Sequence, residues 1–256
     1  MRKPIVAGNW KMNGNLFRAK ALAGEIVRGL SVNPVRECEV VLLPTFVHLT
    51  TAKRLASGTD IAIGSQDLDE RNEGAVTGGI SASILKDAGC SFALCGHSER
   101  RTLFAENDNQ VASKFAAAID AGLIPILCLG ETLAQRERGK TADVVFAQLD
   151  AVVQRVGFKG FSRAVLAYEP IWAIGTGQSA TPEQVEEVHA SLRERLAKGS
   201  SEVAESIRIL YGGSVRVDNA LRLFANENVD GGLIGGAALD SESFLKICHK
   251  ADATVC

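Results

Sequence analysis

The chain has 256 residues, of which 46% are hydrophobic and 23% are charged, and its formal net charge is −2. This length and composition allow a large buried core in one domain or two. Lys and Arg are scattered among Asp and Glu, and no apolar run approaches the roughly 18 to 20 residues of a membrane span, so we expect neither nucleic-acid nor membrane binding.

A short apolar strand followed by an amphipathic helix recurs along the chain, with no linker between the copies. The predicted strands are Ile5 to Ala7, Val40 to Leu43, Ile61 to Ile63, Phe92 to Cys95, Ile124 to Leu129, Ala164 to Tyr168, Ile207 to Leu210 and Gly232 to Ile234. Between them apolar residues recur at helical spacing, as at Leu22, Ile26 and Leu30. Each unit is about 32 residues long, which suits a strand, a helix and two short loops.

This repeat predicts an α/β protein in which eight parallel strands close into one (β/α)8 barrel domain over residues 1–256. An open, doubly wound sheet is the structural alternative. That fold would favour a dinucleotide-binding fingerprint after the first strand. The segment from Gly8 to Gly14 lacks the required glycine spacing, so we favour the barrel.

Polar side chains follow several predicted strands at the point where each strand ends. Asn9 and Lys11 follow the first strand, and in extended backbone they would face the same side. His97 follows the fourth strand where a turn or helix begins, and backbone dipoles there favour its neutral ring. Because the C-terminal ends of barrel strands form the active site, we expect these side chains to converge.

Glu169 ends the sixth strand and begins a loop with two firm ends. Pro170 restricts the exit from the strand, and Gly175 and Gly177 allow unusual backbone shapes. Thr181 to Gln184 has the pattern of a capping box with proline at the first helical position. A flexible tip between such anchors is typical of a lid over a reactive site, so Glu169 is a candidate base.

Paired glycines follow the last two predicted strands. Gly212 and Gly213 precede Ser214, and Gly235 and Gly236 follow the eighth strand. Backbone N–H groups without covering side chains commonly bind phosphate, and in barrels this site often follows the seventh and eighth strands. We therefore predict that a phosphate group binds here.

Each candidate also has a simpler explanation when it is considered singly. Lys11 could be solvated, His97 could be a buried structural histidine, and Glu169 could cap a helix or pair with an arginine. The glycine pairs could be tight turns without a ligand. The remaining histidines are interpreted as structural or surface residues: His48, His189 and His249. The joint placement of the candidates at strand ends is what favours a functional site.

The six cysteines lack the spacing of metal ligands, so we predict no metal site. Cys90, Cys95 and Cys128 lie in or beside apolar runs and are interpreted as small core residues. The segment from Met1 to Pro4 leads directly into a strand rather than into an apolar targeting segment. We therefore expect a cytoplasmic protein.

Five segments of the chain closely resemble the triosephosphate isomerase family. They are AGNWKMN at Ala7 to Asn13, CGHSERR at Cys95 to Arg101, YEPIWAIGTG at Tyr168 to Gly177, YGGSV at Tyr211 to Val215 and IGGAAL at Ile234 to Leu239. The resemblance covers nearly the whole chain and implies a TIM barrel. It also implies that the enzyme interconverts dihydroxyacetone phosphate and D-glyceraldehyde 3-phosphate, in glycolysis and gluconeogenesis, without a cofactor or metal.

The resemblance implies a role for each matching residue. Glu169 would move the proton between adjacent carbons, while neutral His97 with Lys11 and Asn9 would stabilise the charge on the substrate oxygen. The residues implied to bind the substrate are Asn9, Lys11, Gly175, Ser214, Gly235 and Gly236. Closure of the lid on the phosphate would exclude water.

The chain departs from the usual family pattern at three positions. Gln178 stands where the lid commonly has lysine, Ala238 stands where the eighth loop commonly has serine, and Gly79 stands where glutamate is common. The resemblance implies a homodimer in which the loop from Gln66 to Gly79, which contains Thr77, reaches into the partner subunit. Because Gly79 lies in that loop, it bears on how tightly the dimer forms.

Two other classes are compatible with a phosphate-binding barrel. An aldolase-type enzyme would need a Schiff-base lysine deep in the barrel or a cluster of metal ligands. The predicted fifth and sixth strands contain no lysine, and the four histidines are scattered. A barrel kept only for binding is the non-enzymatic alternative, and the complete set of polar candidates at the strand ends argues against it.

Overall fold

Strands and helices alternate along the chain in the computed structural model, which describes residues 2–174 and 179–255. The strands are β1 Ile5–Asn9, β2 Glu39–Leu43, β3 Ala62–Ser65, β4 Phe92–Cys95, β5 Ile124–Leu129, β6 Val165–Tyr168, β7 Arg208–Tyr211 and β8 Gly231–Ile234. The α-helices are α1 Leu16–Val32, α2 Leu49–Leu55, α3 Ala82–Asp87, α4 Ser98–Leu103, α5 Asp108–Asp120, α6 Leu133–Glu137, α7 Thr141–Val156, α8 Pro182–Ala197, α9 Ser201–Ser206, α10 Ala220–Phe224 and α11 Ser241–Asp252. Short 3₁₀ turns lie at Phe46–His48, Phe158–Phe161, Ile171–Ala173 and Gly236–Leu239.

The strands form a closed parallel barrel in which each strand pairs with the next and β8 pairs with β1. The closing pair aligns Ile5 with Gly231 and Gly8 with Ile234. Each strand therefore has a neighbour on both sides, and the backbone groups that an open sheet would leave at its edges are paired. This arrangement confirms the predicted TIM barrel and excludes the open, doubly wound sheet.

Alternate residues of each strand pack on opposite sides of the barrel wall. Ile5, Ala7 and Val41 belong to a cluster that fills the barrel interior. Val6 and Leu42 belong to the larger cluster that includes the helices packed outside. Both sets are buried, because helices cover the outer face of a parallel barrel. Burial on both faces explains why the strands read as continuous apolar runs.

The third strand ends two residues later than its apolar run predicts. We expected Ile61 to Ile63, whereas β3 spans Ala62–Ser65. Gly64 aligns with Phe92 of β4, and a Cβ at Gly64 would lie 2.6 Å from Leu43 Cδ2 and 2.8 Å from Phe92 Cβ. The close packing of neighbouring strands requires glycine here, and a glycine interrupts the apolar pattern although the strand continues. The other predicted strands overlap the observed ones and differ by at most two residues at either end.

Helix α8 begins as the capping box predicts. The Thr181 hydroxyl accepts a hydrogen bond from the Gln184 N–H at 3.3 Å, and the Thr181 N–H donates to Gln184 Oε1 at 3.0 Å. Pro182 is the first helical residue. The second anchor of the predicted lid is therefore a well-capped helix terminus.

The cysteines in the described ranges are buried free thiols: Cys38, Cys90, Cys95, Cys128 and Cys248. Three or more potential metal ligands do not come together anywhere in those ranges. The helices of the same ranges are too short or too polar to cross a bilayer. The cysteines thus fill space in the core, as their apolar sequence context predicts.

His189 lies on α8 and is fully buried. Its Nδ1 is 3.0 Å from the carbonyl oxygen of Asn228, so Nδ1 carries the proton and donates it. The ring meets Tyr168 edge-on, with 5.9 Å between the ring centroids. Nε2 has no hydrogen-bond partner among the described residues. Burial lowers the pKa of His189 from its ordinary 6.5 to about 3, so the ring is neutral in the folded protein.

We predict that the protein loses stability on mild acidification, in part through His189. The pKa of His189 is about 3 in the folded protein and 6.5 in the unfolded chain. Between these pH values the unfolded chain binds more protons than the folded protein, so the free energy of unfolding falls as the pH drops below 6.5. The loss should reach about 3 kcal/mol near pH 4. Urea unfolding at about pH 7 and about pH 4 measures it. His189→Gln should lose correspondingly less between the two conditions, and equal losses in both proteins would contradict the prediction.

Candidate active site

A cavity of about 320 Å³ opens where the C-terminal ends of the strands meet. Every candidate residue within the described ranges lines it: Asn9, Lys11, His97, Glu169, Ser214, Gly235 and Gly236. Gly175, the remaining candidate, lies outside the described residues. The barrel thus brings side chains from the ends of β1, β4 and β6 together with glycines that follow β8.

Glu169 leaves the end of β6 and is almost completely buried, with 1% of its surface exposed. Its Oε2 accepts a hydrogen bond from the backbone N–H of Ser98 at 2.8 Å. Its Oε1 lies 2.9 Å from Nε2 of His97, a distance at which the two groups form an ion pair when the ring is protonated. One carboxylate oxygen is therefore held by a backbone N–H while the other faces the imidazole.

The charges of Glu169 and His97 influence each other strongly because both groups are buried. Burial alone would raise the pKa of Glu169, but the adjacent His97 and the Ser98 N–H outweigh burial and keep that pKa below its ordinary value. Burial likewise lowers the pKa of His97, but the Glu169 carboxylate outweighs it and the pKa of the ring is raised. In this arrangement Glu169 is ionised, which is the form that a base requires.

His97 caps the N-terminus of α4 with its own ring. Its Nδ1 accepts a hydrogen bond from the Glu99 N–H at 3.2 Å. An acceptor nitrogen cannot also carry a proton, so this contact favours the neutral tautomer with hydrogen on Nε2. The backbone contact and the neighbouring carboxylate therefore act in opposite directions on the charge of the ring.

Lys11 is held in an unusual backbone conformation, with a φ of 50°. Its N–H donates to Asn9 Oδ1 at 2.9 Å, and its ammonium forms an ion pair with Glu99. Oε2 of Glu99 is also 3.6 Å from Nδ1 of His97. Glu99 therefore links the ammonium to the imidazole, a role that we did not predict although the residue lies in a quoted segment.

Gln66 supports Lys11 from the loop after β3 and was not among the predicted site residues. Its side-chain amide donates to the carbonyl oxygens of Lys11 and Leu43, both at 2.9 Å. One amide thus ties together the ends of three neighbouring strands. A positive φ in a residue other than glycine costs of order 1 kcal/mol or more, so the surrounding contacts must hold it. No sequence signal separates this glutamine from an ordinary loop residue.

Two glycines from neighbouring strand ends enclose the backbone and side chain of Glu169. A Cβ at Gly130, after β5, would lie 1.8 Å from the Glu169 carbonyl oxygen. A Cβ at Gly212, after β7, would lie 2.7 Å from Glu169 Cγ. Gly212 was predicted only as part of a phosphate cradle. The structure gives it a second role, because its missing side chain leaves room for the carboxylate.

Buried Glu131, after β5, anchors the start of the predicted lid. Its Oε1 accepts hydrogen bonds from the Tyr168 hydroxyl at 3.1 Å and from the Trp172 indole at 2.9 Å. The guanidinium of Arg136 lies 3.3 Å from the same oxygen and packs over the Trp172 ring. At the other end of the lid, the Ala180 N–H donates to the Tyr211 hydroxyl at 3.3 Å.

The tip of the predicted lid, residues 175–178, lies outside the described residues, and it includes the predicted departure Gln178. Both anchors lie within the described residues, and neither Glu131 nor Tyr211 was singled out from the sequence as an anchor. Their hydrogen bonds join residues that are far apart along the chain. A contact of that kind has no signature in local spacing.

The chain is similar in sequence to known proteins over almost its entire length. A family model described as triosephosphate isomerase matches residues 4–251. A triosephosphate isomerase from Alcanivorax borkumensis is 51% identical over 251 residues, covering 98% of this chain and 99% of that protein. Triosephosphate isomerases from Dechloromonas aromatica and Xanthomonas axonopodis pv. citri are 50% and 51% identical, and each is covered over its full length.

We predict that removing the negative charge of Glu169 lowers the pKa of His97. In Glu169→Gln burial, the Glu99 N–H and the Lys11 ammonium would disfavour the charged ring and only the Glu99 carboxylate would favour it, so the pKa should fall. NMR titration of labelled imidazole nitrogens measures this shift. Glu137→Gln makes the same chemical change at an exposed position of α6 and should leave His97 unaltered. An unchanged or higher pKa in Glu169→Gln would contradict the prediction.

Proposed function

This chain belongs to the triosephosphate isomerase family, and from that premise we propose how its own residues carry out the reaction. The enzyme is an isomerase of glycolysis that interconverts dihydroxyacetone phosphate and D-glyceraldehyde 3-phosphate. This identity removes the aldolase-type and non-enzymatic alternatives. The observation that best supports the proposed roles is the contact between a buried ionised carboxylate and an imidazole in one cavity beside a glycine pair.

In the proposed mechanism Glu169 removes a proton from the carbon next to the substrate carbonyl. The electron pair of that C–H bond moves onto the carbonyl oxygen and leaves an enediolate. Glu169 then returns the proton to the carbon that carried the carbonyl, and the hydroxyl proton of the other carbon passes to the former carbonyl oxygen as the new carbonyl forms, so the substrate is isomerised with no net change in protons. The burial of Glu169 and its ionised form support this role, because a carboxylate kept ionised beside the substrate can accept the proton.

We propose that His97, Lys11 and Asn9 stabilise the negative charge that develops on the substrate oxygen. The Nε2 tautomer favoured by the Glu99 N–H would donate a hydrogen bond to that oxygen. When Glu169 turns toward the substrate, its raising effect on the pKa of His97 weakens, whereas the Glu99 N–H remains in place. We therefore propose that His97 is neutral in the substrate complex, as the sequence predicts.

The phosphate of the substrate is proposed to lie against Ser214, Gly235 and Gly236. Among the described residues, no atom lies within 4 Å of a Cβ position at Gly236, and at Gly235 the nearest is Lys11 Cε at 3.4 Å. An anion can therefore approach the backbone closely at this end of the cavity. Gly175 is assigned to the same phosphate by family membership alone, since it lies outside the described residues.

We further propose that residues 1–256 form one domain, that the protein acts in the cytoplasm, and that it is a homodimer joined through the loop that contains Thr77. A cavity next to this loop is lined by Phe46, Gly79 and Phe104. Phe104 is 64% exposed and the preceding Leu103 is 74% exposed, so two consecutive large apolar side chains face solvent here. A partner subunit would cover this surface.

We predict that Glu169→Gln folds normally but loses activity by at least about 10², because a general base contributes about 10² to 10⁴ in rate. A coupled assay run in both directions measures the isomerisation, and circular dichroism checks the fold. Glu137→Gln serves as the matched surface control and should keep wild-type activity. Near-normal turnover by Glu169→Gln would remove the base assignment.

We predict that Phe104→Glu shifts the protein from dimer to monomer, because a charged side chain would have to be buried in the interface. Sedimentation velocity over a range of protein concentrations measures the change. Leu221→Glu places the same charge on α10, where Leu221 is also partly exposed, and should leave the assembly unaltered. A wild-type protein that is monomeric throughout that range would refute the proposed dimer.

A further inference from the structure

Arg216 lines the active-site cavity but has no role in the mechanism derived above. Among the described lining residues, the basic side chains other than His97 are those of Lys11 and Arg216, and Glu169 carries a negative charge. The charges of Lys11 and Glu169 offset each other in sum. The substrate carries a phosphate that is largely dianionic near neutral pH. The Arg216 guanidinium therefore adds a positive charge at the cavity beyond that of Lys11.

The two cations differ in their surroundings, although the side chain of Lys11 also reaches the proposed phosphate site, with Cε 3.4 Å from a Cβ position at Gly235. The ammonium of Lys11 is already paired with Glu99, close to His97. Arg216 follows Ser214 by two positions, in the loop that leaves β7 toward the proposed phosphate site. The backbone there offers N–H dipoles but no charge of its own. Arg216 is thus placed to add a full charge where the phosphate arrives.

Hydrogen bonds within the loop hold the backbone of Arg216 in position. The Arg216 N–H donates to Asn219 Oδ1 at 2.8 Å, and the Asn219 amide donates to the carbonyl oxygen of Ser214 at 3.0 Å. One asparagine side chain therefore connects the arginine to the proposed phosphate-binding residue. These hydrogen bonds keep the Cα of Arg216 at the rim of the cavity, whereas the guanidinium at the end of the side chain can reorient.

The existing partner of Arg216 holds it loosely. Asp218 Oδ1 lies 3.2 Å from the guanidinium Nε, and its Oδ2 lies 3.5 Å from Nη2. By contrast, Arg195 and Asp150 approach within 2.7 Å. Arg216 is 52% exposed and Asp218 is 71% exposed, and exposed ion pairs of this kind contribute little to stability. An incoming dianion can compete with Asp218 for the guanidinium.

We propose that Arg216 is a specificity-determining residue that attracts the dianionic phosphate of the substrate to the cavity, and that Asp218 weakens this attraction. The proposal rests on the proposed function, because it concerns the same cavity and the same substrate. Charges that line a cleft raise the local concentration and association rate of an oppositely charged ligand. The proposed attraction acts on the phosphate group of the substrate and not on the carbons between which the proton moves.

The test compares Arg216→Gln with the wild type in steady-state kinetics on glyceraldehyde 3-phosphate. At low ionic strength kcat/KM should fall about three- to tenfold, mainly through KM, and the loss should shrink as salt screens the charge. Arg222→Gln removes another exposed arginine, which pairs with Glu183 and does not line the cavity, and should leave kcat/KM unchanged. Asp218→Asn should raise kcat/KM at low salt.

A neutral substrate separates attraction of the phosphate from a structural role. With glyceraldehyde, which lacks the phosphate, Arg216→Gln and the wild type should have the same kcat/KM. A loss that is independent of salt, or an equal loss on glyceraldehyde, would overturn the proposal while leaving the isomerase function intact. If the wild type failed to isomerise glyceraldehyde 3-phosphate, the proposed function itself would fall, so the two failures are distinguishable.

Discussion

The site depends on keeping one buried carboxylate ionised. Moving Glu169 out of water favours its neutral form, and the structure counteracts this with the Ser98 N–H and the adjacent imidazole. These groups come from the loop and helix that follow β4, whereas Glu169 comes from β6. The barrel places the ends of these separate strands at one rim, so such partners can reach the carboxylate.

Closure of the barrel brings these strand ends together and also restricts the movement of the site residues. Each strand end is fixed by its neighbours on both sides, so the ends of β1, β2 and β3 can be tied together by one glutamine amide. The positive φ of Lys11 is maintained by this network. The same hydrogen bonds therefore stabilise the barrel wall and maintain the geometry of the site.

The sequence predicts the parts of this design that are local. Apolar runs mark the strands, because both faces of the barrel wall are buried, and the capping box marks the start of α8. Gln66, Glu99 and Glu131 were missed, because their importance comes from partners that are distant along the chain. The end of β3 was misplaced for the opposite reason, since Gly64 satisfies a packing requirement that leaves no apolar signature.

The absent side chains at Gly130 and Gly212 have a consequence for how this protein tolerates genetic variation. A methyl group at either position would collide with Glu169, although the alanine side chain itself has no reactive group. A saturation-mutagenesis screen scored on growth would therefore rank both glycines among the least replaceable positions. The result of such a screen would suggest that both glycines take part in the reaction, although their contribution is to leave space for Glu169.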